Sequence, residues 1–482
     1  MNAKVISELR ALLGDRGIID SPTRIVPYES DGLAILRQRP DLVLLPQSTE
    51  ETAACMRILH REGIPIVPRG AGTGLAGGAT PVKGGVVIGS ARMREVLELN
   101  VKDRFARVQA GLVNASLSRE CDRHDLFYAP DPSSQRACTL GGNIAANSGG
   151  PHCFKYGNTT QHVLGLVIVT HDGEILDLTR DDVEPLGYDL VGLFVGSEGT
   201  FGIATEIKLR LVPKPPVVET LLAIFPDLES ACESASKMIA RRLEPSAIEI
   251  LDKLTIQAVE DSVFAAGYPR EAGAVLLTEV EGLEEEVSAT SVDIRAIFEE
   301  CGAIEQRTAR DDAERLSLWA GRKGAFGAMG RVAPDLYVAD ACVPRTKLAE
   351  MVRNTVEIAK ELNLRLATVF HAGDGNLHPN ICYDRRDKDE VKRVLEAGRR
   401  ILESCVDAGG SLSGEHGVGL EKLAQMDYQF AEDDLKTMCR VRDTWDPDRR
   451  LNPGKLIPVR ACMETRAAFA ARPDAEPLGQ TP

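Results

Sequence analysis

The sequence predicts an α+β protein of two substantial lobes followed by a short C-terminal segment, and three observations carry that expectation. Its 482 residues exceed the roughly 250 to 300 that one hydrophobic core supports. Up to about residue 212, short β-branched runs alternate with glycine-rich turns, whereas beyond about 217 strand-like runs alternate with amphipathic helical patterns. Between the two stretches, VPKPPVV (212–218) spaces its prolines too closely for a sheet or helix to continue. The expected division is therefore 1–216, 217–412 and 413–482.

In the first lobe the strands expected are DLVLLP, IPIVPRGAG, GGVVIG, ARVQAG, LGLVIVT, GEILDL and ATEIKLRLV, with few long helical periods between them. The second opens on a strand, ETLLAIF, followed by the helix LESACESASKMIARRL. The strand AVLLTEVEG then leads to the acidic helical run LEEEVSATSVDIRAIFEECG. A further cycle runs from DLYVADACV through the helix RTKLAEMVRNTVEIAKELN to LRLATVF. Units of this size suggest an antiparallel sheet with helices on one face, as in ferredoxin-like domains. The last 70 or so residues hold two helical patterns and LNPGKL, then a polar tail after about 465 that is expected to be disordered.

Composition excludes several function classes. The chain is 43% hydrophobic and 27% charged and has no 18-residue apolar run, so no transmembrane segment is expected. MNAKVISELRALLGDRG mixes charge into an amphipathic pattern and lacks the apolar centre of a secretory signal, which points to a cytoplasmic address. Eleven cysteines without a CxxC pair fit reduced thiols and exclude an ordinary cysteine-ligated zinc ribbon or iron–sulfur cluster within this chain. A net charge of −15, spread without single-sign blocks, argues against nucleic-acid binding.

Four small-residue segments stand out. In PRGAGTGLAGGA (68–79), Gly72, Gly74 and Gly77 match the G-x-G-x-x-G spacing. A Rossmann loop opens a helix, yet Pro81 and a second strand follow here, so a nicotinamide-dinucleotide site is not expected. What remains is a loop whose backbone N–H groups can crowd around an anion such as a pyrophosphate. PDPSS (130–134), TLGGNIAANSGG (139–150) and GSEGTFGIATEI (196–207) add surfaces on which a flat ring can approach the main chain. Several such loops in one lobe indicate a large cofactor.

Together with TRIVPYESDG, HAGDGNLHP, SGEHGVG and LNPGKL, these segments in this order resemble flavoproteins of the vanillyl-alcohol-oxidase, or p-cresol-methylhydroxylase (PCMH), type. Within that group the chain is similar to the FAD-linked subunits of glycolate oxidases. The resemblance covers nearly the whole chain. It implies a two-part PCMH-type FAD-binding domain, a cap over the flavin, and a C-terminal segment returning to the FAD domain. It places Pro68, Arg69, Gly70, Ala71, Gly72, Thr73, Gly74, Gly77 and Gly78 around the pyrophosphate. Pro130, Asp131, Pro132, Ser133, Gly141, Gly142, Asn147, Gly202 and Ile203 would line the rest of FAD, and Asn452 would reach the flavin from the C-terminal segment. Thr73 stands where some relatives tether FAD through a histidine, so noncovalent FAD is implied.

Only eight histidines occur, and three of them fall in TVFHAGDGNLHPNICY (368–383) and SGEHGVGLEK (413–422). A hairpin around Gly-Asp-Gly-Asn would set His371 beside His378, and Glu415 can complete a three-ligand set that leaves coordination positions open. The resemblance supports a divalent metal there, zinc, manganese or iron. Such a metal would bind the 2-hydroxyl and carboxylate oxygens of a hydroxy acid and favour the alkoxide. His416 is the candidate general base, with hydride passing to flavin N5. Arg322 is the candidate clamp for the substrate carboxylate, while Lys323 reads as a solvated surface charge.

Relatives that oxidise D-2-hydroxyglutarate carry a basic residue ahead of the Val-Pro pair, where this chain has Tyr337-Val338-Ala339-Asp340 before Val343-Pro344. A small acid such as glycolate or D-lactate fits better. The implied partners are a sister flavin-type subunit and an iron–sulfur subunit, with quinone as the indirect acceptor and any inner-membrane association made through those subunits. The alternatives are a stand-alone D-lactate or D-2-hydroxyglutarate dehydrogenase.

Overall fold

A computed structural model describes residues 1–179 and 187–458. The tail expected beyond 465 lies outside the described residues. In the first lobe, Ile18–Ile19, Leu42–Leu44, Val86–Gly89 and Ile66–Arg69 form a four-stranded sheet in that order, with its last three strands parallel. Leu42, Val43 and Leu44 are all buried, as strands covered on both faces must be. The crossover helix Thr49–Arg61 starts where Ser48 accepts a hydrogen bond from the Glu51 N–H, with Glu50 and Glu51 against its N-terminal dipole. It buries Ala53, Met56 and Leu59 against the sheet. The strand Ile66–Arg69 then ends directly in the first glycine loop.

A second sheet of the same lobe is antiparallel, in the order Val96–Asn100, Phe105–Gln109, Ile203–Arg210, Val163–Val169 and Ile175–Asp177. Burial alternates along Ile203–Arg210, the mark of a sheet packed on one face. The C-terminal segment returns to this lobe: the Asn452 N–H donates to the Ile66 carbonyl (2.7 Å), and the Ile66 N–H to that of Arg450 (2.8 Å).

Between Pro213 and Val217 the chain leaves these sheets for the cap. There Glu305–Thr308, Val217–Phe225, Ala274–Gly282 and Ala247–Asp252 lie in the 4-1-3-2 order of a ferredoxin-like unit. Arg365–His371 extends the sheet beyond Ala247–Asp252, and all these pairings are antiparallel. The expected layer of helices on one face is present: Leu228–Ala240 and Glu284–Glu300 pack on Val217–Phe225, and Leu348–Glu361 and Lys388–Asp407 continue the same apolar core over Arg365–His371 and Pro379–Tyr383. The opposite face is not bare, which amends the one-face expectation. Lys253–Glu260 and Asp312–Ala328 bury Ile256, Val259, Leu318 and Ala325 against Leu222, Ile224, Val275 and Leu277. Both faces being covered explains why Leu221 to Phe225 is a continuous apolar run.

The second helical layer is where the lobes are fastened. His152, from the first lobe, has Nδ1 2.9 Å from Asp131 Oδ2 and Nε2 3.1 Å from Glu279 Oε1 of the cap. Lys323 Nζ donates to Asp131 Oδ2 (2.8 Å), and Trp319 Nε1 to Glu279 Oε2 (2.6 Å). Burial disfavours a charged imidazole, but Asp131 and Glu279 outweigh it and raise the His152 pKa to about 10. A raised folded-state value stabilises the fold fully below the ordinary histidine value of about 6.5, and that contribution is lost as pH rises through about 10. His152→Gln should therefore lower stability by about 3 kcal/mol at pH 6. The gap in thermal midpoint from wild type should close toward pH 10.5, and a gap constant across that range contradicts this account.

Candidate active site

The glycine loops of the first lobe and the helix Asp312–Ala328 of the cap enclose a cavity of about 770 Å³, within the size range of cofactor sites. Of the residues expected to hold a cofactor, Pro68, Arg69, Gly70, Ala71, Gly72, Thr73, Gly74, Gly78, Pro132, Ser133, Gly141, Gly142, Gly202 and Ile203 line it. Gly72 takes φ +74°, where a side chain is strained. At Gly78 an added Cβ would meet nothing within 4 Å. The wall is thus largely backbone, with room for a large planar and anionic guest, and these residues fit FAD. Arg69 shapes the loop: its guanidinium donates to the carbonyls of Ser30 (2.9 Å) and Pro27 (3.0 Å).

Five expected contacts lie outside the cavity wall. Gly77 packs toward Leu420, and the Pro130 carbonyl accepts from Asn114 Nδ2 (3.0 Å). Asp131 belongs to the inter-lobe cluster. Asn147 ends the helix Leu140–Ala146 at φ +51° and accepts from the Thr160 N–H (2.9 Å). Asn452, 1% exposed, donates through Nδ2 to the carbonyls of Gly78 (2.9 Å) and Glu198 (2.7 Å). It ties the first glycine loop to the C-terminal segment instead of reaching into the cavity.

At the polar end, the strand Arg365–His371 turns back through Asn376–Leu377, with His371 paired to Asn376. The turn closes on Asp374, whose Oδ1 accepts the Asn376 N–H (3.1 Å). Gly375, at φ +79°, passes against the Val343 carbonyl where a Cβ would collide. This sets the His371 and His378 rings edge to face, 5.1 Å apart. Glu415 Oε1 lies 3.2 Å from His371 Nε2 and 3.0 Å from His378 Nε2. The three residues can each offer a ligand atom within 4.8 Å of the others, so the donor set suits a divalent cation. Burial opposes a charged Glu415, but the two histidines outweigh it and hold its pKa well below the ordinary value.

His416 stacks on His378, 5.0 Å between centroids and 10° between planes. Burial pulls its pKa down to about 4, with His378 adding to the effect and Asp340 opposing it. The ring is therefore neutral near pH 7, as a proton acceptor must be. Its Nδ1 has no hydrogen-bond partner among the described residues. His378, Glu415 and His416 line the same cavity as the glycine loops, while His371, 3% exposed, stands behind them.

Arg322 is in the cavity wall and 3% exposed, ion-paired with Glu249. Lys323 corrects its assignment as a solvated charge: the cavity curves around the helix that carries Arg322 and Lys323, so Lys323 also lines it, and its Nζ donates to Asp131 of the first lobe.

Two buried carboxylates escaped the sequence analysis. Glu249 Oε1 lies 2.6 Å from His371 Nδ1. Asp340, noted only for not being basic, accepts from Ser413 Oγ (2.8 Å), the Gly414 and His416 N–H groups (both 3.0 Å) and Lys422 Nζ (2.8 Å). It shapes the loop that carries Glu415 and His416. The available signal was an acidic residue inside an otherwise apolar strand run, as in AIEILD and DLYVAD.

Comparison with known proteins agrees with this architecture. The family model for FAD linked oxidases, C-terminal domain, matches residues 214–456, and that for the FAD binding domain matches 40–179. Glycolate oxidase subunit GlcD of Escherichia coli (strain K12) is 45% identical over 461 residues, 95% of this chain and 92% of that protein. A D-lactate dehydrogenase of Anaerostipes hadrus is 32% identical, covering 94% of this chain and 96% of its own. The structure of p-cresol methylhydroxylase with substrate bound matches at a TM-score of 0.81 and 17% identity, over 95% of this chain and 97% of that one. At that identity the likeness is one of fold. Two lobes, a glycine-walled cavity and full-length relatives together make this chain a member of the FAD-linked oxidase family.

Proposed function

We propose that the chain uses noncovalent FAD and a divalent cation to oxidise a small 2-hydroxy acid, glycolate to glyoxylate or D-lactate to pyruvate. The observation that carries this reading is that His378, Glu415 and His416 open onto the cavity walled by the glycine loops. Cofactor chemistry and proton chemistry thus share one space. The segments divide the work: 1–216 holds the cofactor, 217–412 brings the imidazoles and Arg322 over it, and 413–482 supplies Glu415 and His416. When bound, FAD supplies a hydride acceptor and a cation on His371, His378 and Glu415 supplies Lewis acidity toward the 2-hydroxyl.

The chain's own groups do the rest. His416, neutral and without a partner at Nδ1 among the described residues, takes up the hydroxyl proton. Arg322 has five N–H donors, of which Glu249 engages the Nε and Nη2 sides, and the remainder hold the substrate carboxylate. The run Tyr337-Val338-Ala339-Asp340 ahead of Val343-Pro344 carries no basic residue to grip a second carboxylate, which favours monocarboxylates. The relative named as a glycolate oxidase subunit supports assembly into a larger complex; the partners proposed for it are a sister flavin-type subunit and an iron–sulfur subunit that pass electrons toward quinone. No helix among the described residues is long and apolar enough to cross a membrane, so membrane contact would be made through those partners. The D-lactate dehydrogenase relative supports a second reading, a stand-alone D-lactate dehydrogenase, and assay of the isolated chain with an artificial acceptor separates the two.

Anaerobic titration of the purified yellow protein should bleach its visible flavin bands with glycolate or D-lactate, and far less with D-2-hydroxyglutarate. A spectrum unchanged by all three acids contradicts the proposal. His416→Ala should retain flavin and cation while slowing flavin reduction by about 10² to 10⁴, and a wild-type rate would remove His416 from the chemistry. Chelation of the cation should abolish reduction and re-addition of zinc or manganese should restore it, whereas full activity after verified metal removal refutes the cation's role.

A further inference from the structure

Glu249 lies on the strand Ala247–Asp252, in the interior of the cap sheet, and is 0% exposed. Its neighbours Ala247, Ile248, Ile250 and Leu251 are all buried and apolar. A carboxylate at such a position is costly to desolvate unless every oxygen is engaged, and an aliphatic side chain would satisfy the sheet. Both oxygens are engaged, and on different parts of the site. The strand register sets Glu249 directly opposite His371, so the two side chains emerge on the same face of the sheet. Oε1 meets His371 Nδ1 at 2.6 Å, and Oε2 takes the Arg322 guanidinium.

We propose that Glu249 is a positioning residue coupling the cation site to the substrate clamp. Resting on the cation and hydroxy-acid reading above, it assigns Glu249 two simultaneous tasks. By accepting the N–H at His371 Nδ1, Glu249 leaves the Nε2 lone pair facing Glu415 and the cation position, and fixes the ring's orientation. By binding one edge of the Arg322 guanidinium, it holds that planar fork in the cavity wall. One carboxylate thus sets the spacing between the group that binds the cation and the group that grips the substrate's carboxylate. Asp340 stands in the matching place behind the other imidazole, with Oδ1 3.6 Å from His378 Nδ1. Asp340, however, is saturated by Lys422 and the 413–416 loop, whereas Glu249 serves only His371 and Arg322 among the contacts described.

The test measures Zn²⁺ and Mn²⁺ binding to metal-stripped, FAD-loaded full-length protein by chelator competition, and KM and kcat for glycolate and D-lactate at saturating metal. Glu249→Gln, which keeps the shape but cannot serve both partners as an anion, should weaken cation binding about 10- to 100-fold with flavin content unchanged. It should also raise KM more than it lowers kcat, because Arg322 loses its anchor. Should that variant lose its flavin through misfolding, Glu249→Asp, which keeps the charge but withdraws the oxygens, is read in the same way with the same expectation. A variant that binds the cation within twofold of wild type, or weakens binding with KM unchanged, overturns the coupling role while leaving the proposed function intact. Wild-type protein that takes up neither ion overturns the underlying reading and this inference with it.

Discussion

The structure depends on keeping one buried carboxylate charged. Glu415, drawn between the inner edges of His371 and His378, keeps only 10% of its side chain exposed, and an anion so far withdrawn from water is tolerable only where positive charge or strong donors face it. His371 is itself flanked by two carboxylates. Burial opposes its charge, but Glu249 and Glu415 raise its pKa to about 10. On the reading proposed above, a divalent cation would take the place of that ring proton. The cap hairpin, the loop 413–416 beneath Asp340 and the pair of helices on the cap's second face all serve to hold that arrangement above the glycine-walled cavity.

A division of physical labour between the lobes follows. The first lobe offers backbone: short buried strands end in loops of small residues, which cost little to place close to a large cofactor. The cap offers charged side chains whose strand and helix positions are set by register, His371 and Arg322 among them, while Glu415 and His416 come from the loop 413–416 that Asp340 holds in shape. What joins them is itself electrostatic. The His152–Asp131–Lys323–Glu279 cluster secures the helix that carries Arg322, and Glu198 accepts the Val418 and Gly419 N–H groups (both 2.7 Å), fastening the C-terminal loop to the first lobe. These charged contacts join the sheets of the first lobe to the cap and to the C-terminal loop.

Much of this was legible in the sequence, for reasons particular to the residues. His371, His378, Glu415 and His416 were visible because histidine is scarce in this chain and Gly375 marks the turn that brings two of them together. The glycine loops were visible because strands led into them. Glu249 and Asp340 were not, because an acidic residue in a strand reads as a solvent-facing position under simple alternation, and only the partner across the sheet or loop reveals its burial. Lys323 was misjudged because neighbours on a helix diverge by about 100°, while this cavity wraps far enough round the helix to meet both. The helices on the cap's second face were signalled by the unbroken apolar run Leu221 to Phe225, which alternation would have interrupted. The family resemblance places Asn147 and Asn452 against FAD, whereas here the side chain of each engages backbone groups of the surrounding loops.

The central claim is that a divalent cation sits on His371, His378 and Glu415 at the edge of the flavin cavity. Anomalous diffraction from crystals of the flavin-bound protein loaded with zinc or manganese tests it most directly. A single strong peak should lie about 2.0 to 2.2 Å from His371 Nε2, His378 Nε2 and a Glu415 oxygen. Loaded crystals without a peak there, or with the ion bound only elsewhere, would contradict it.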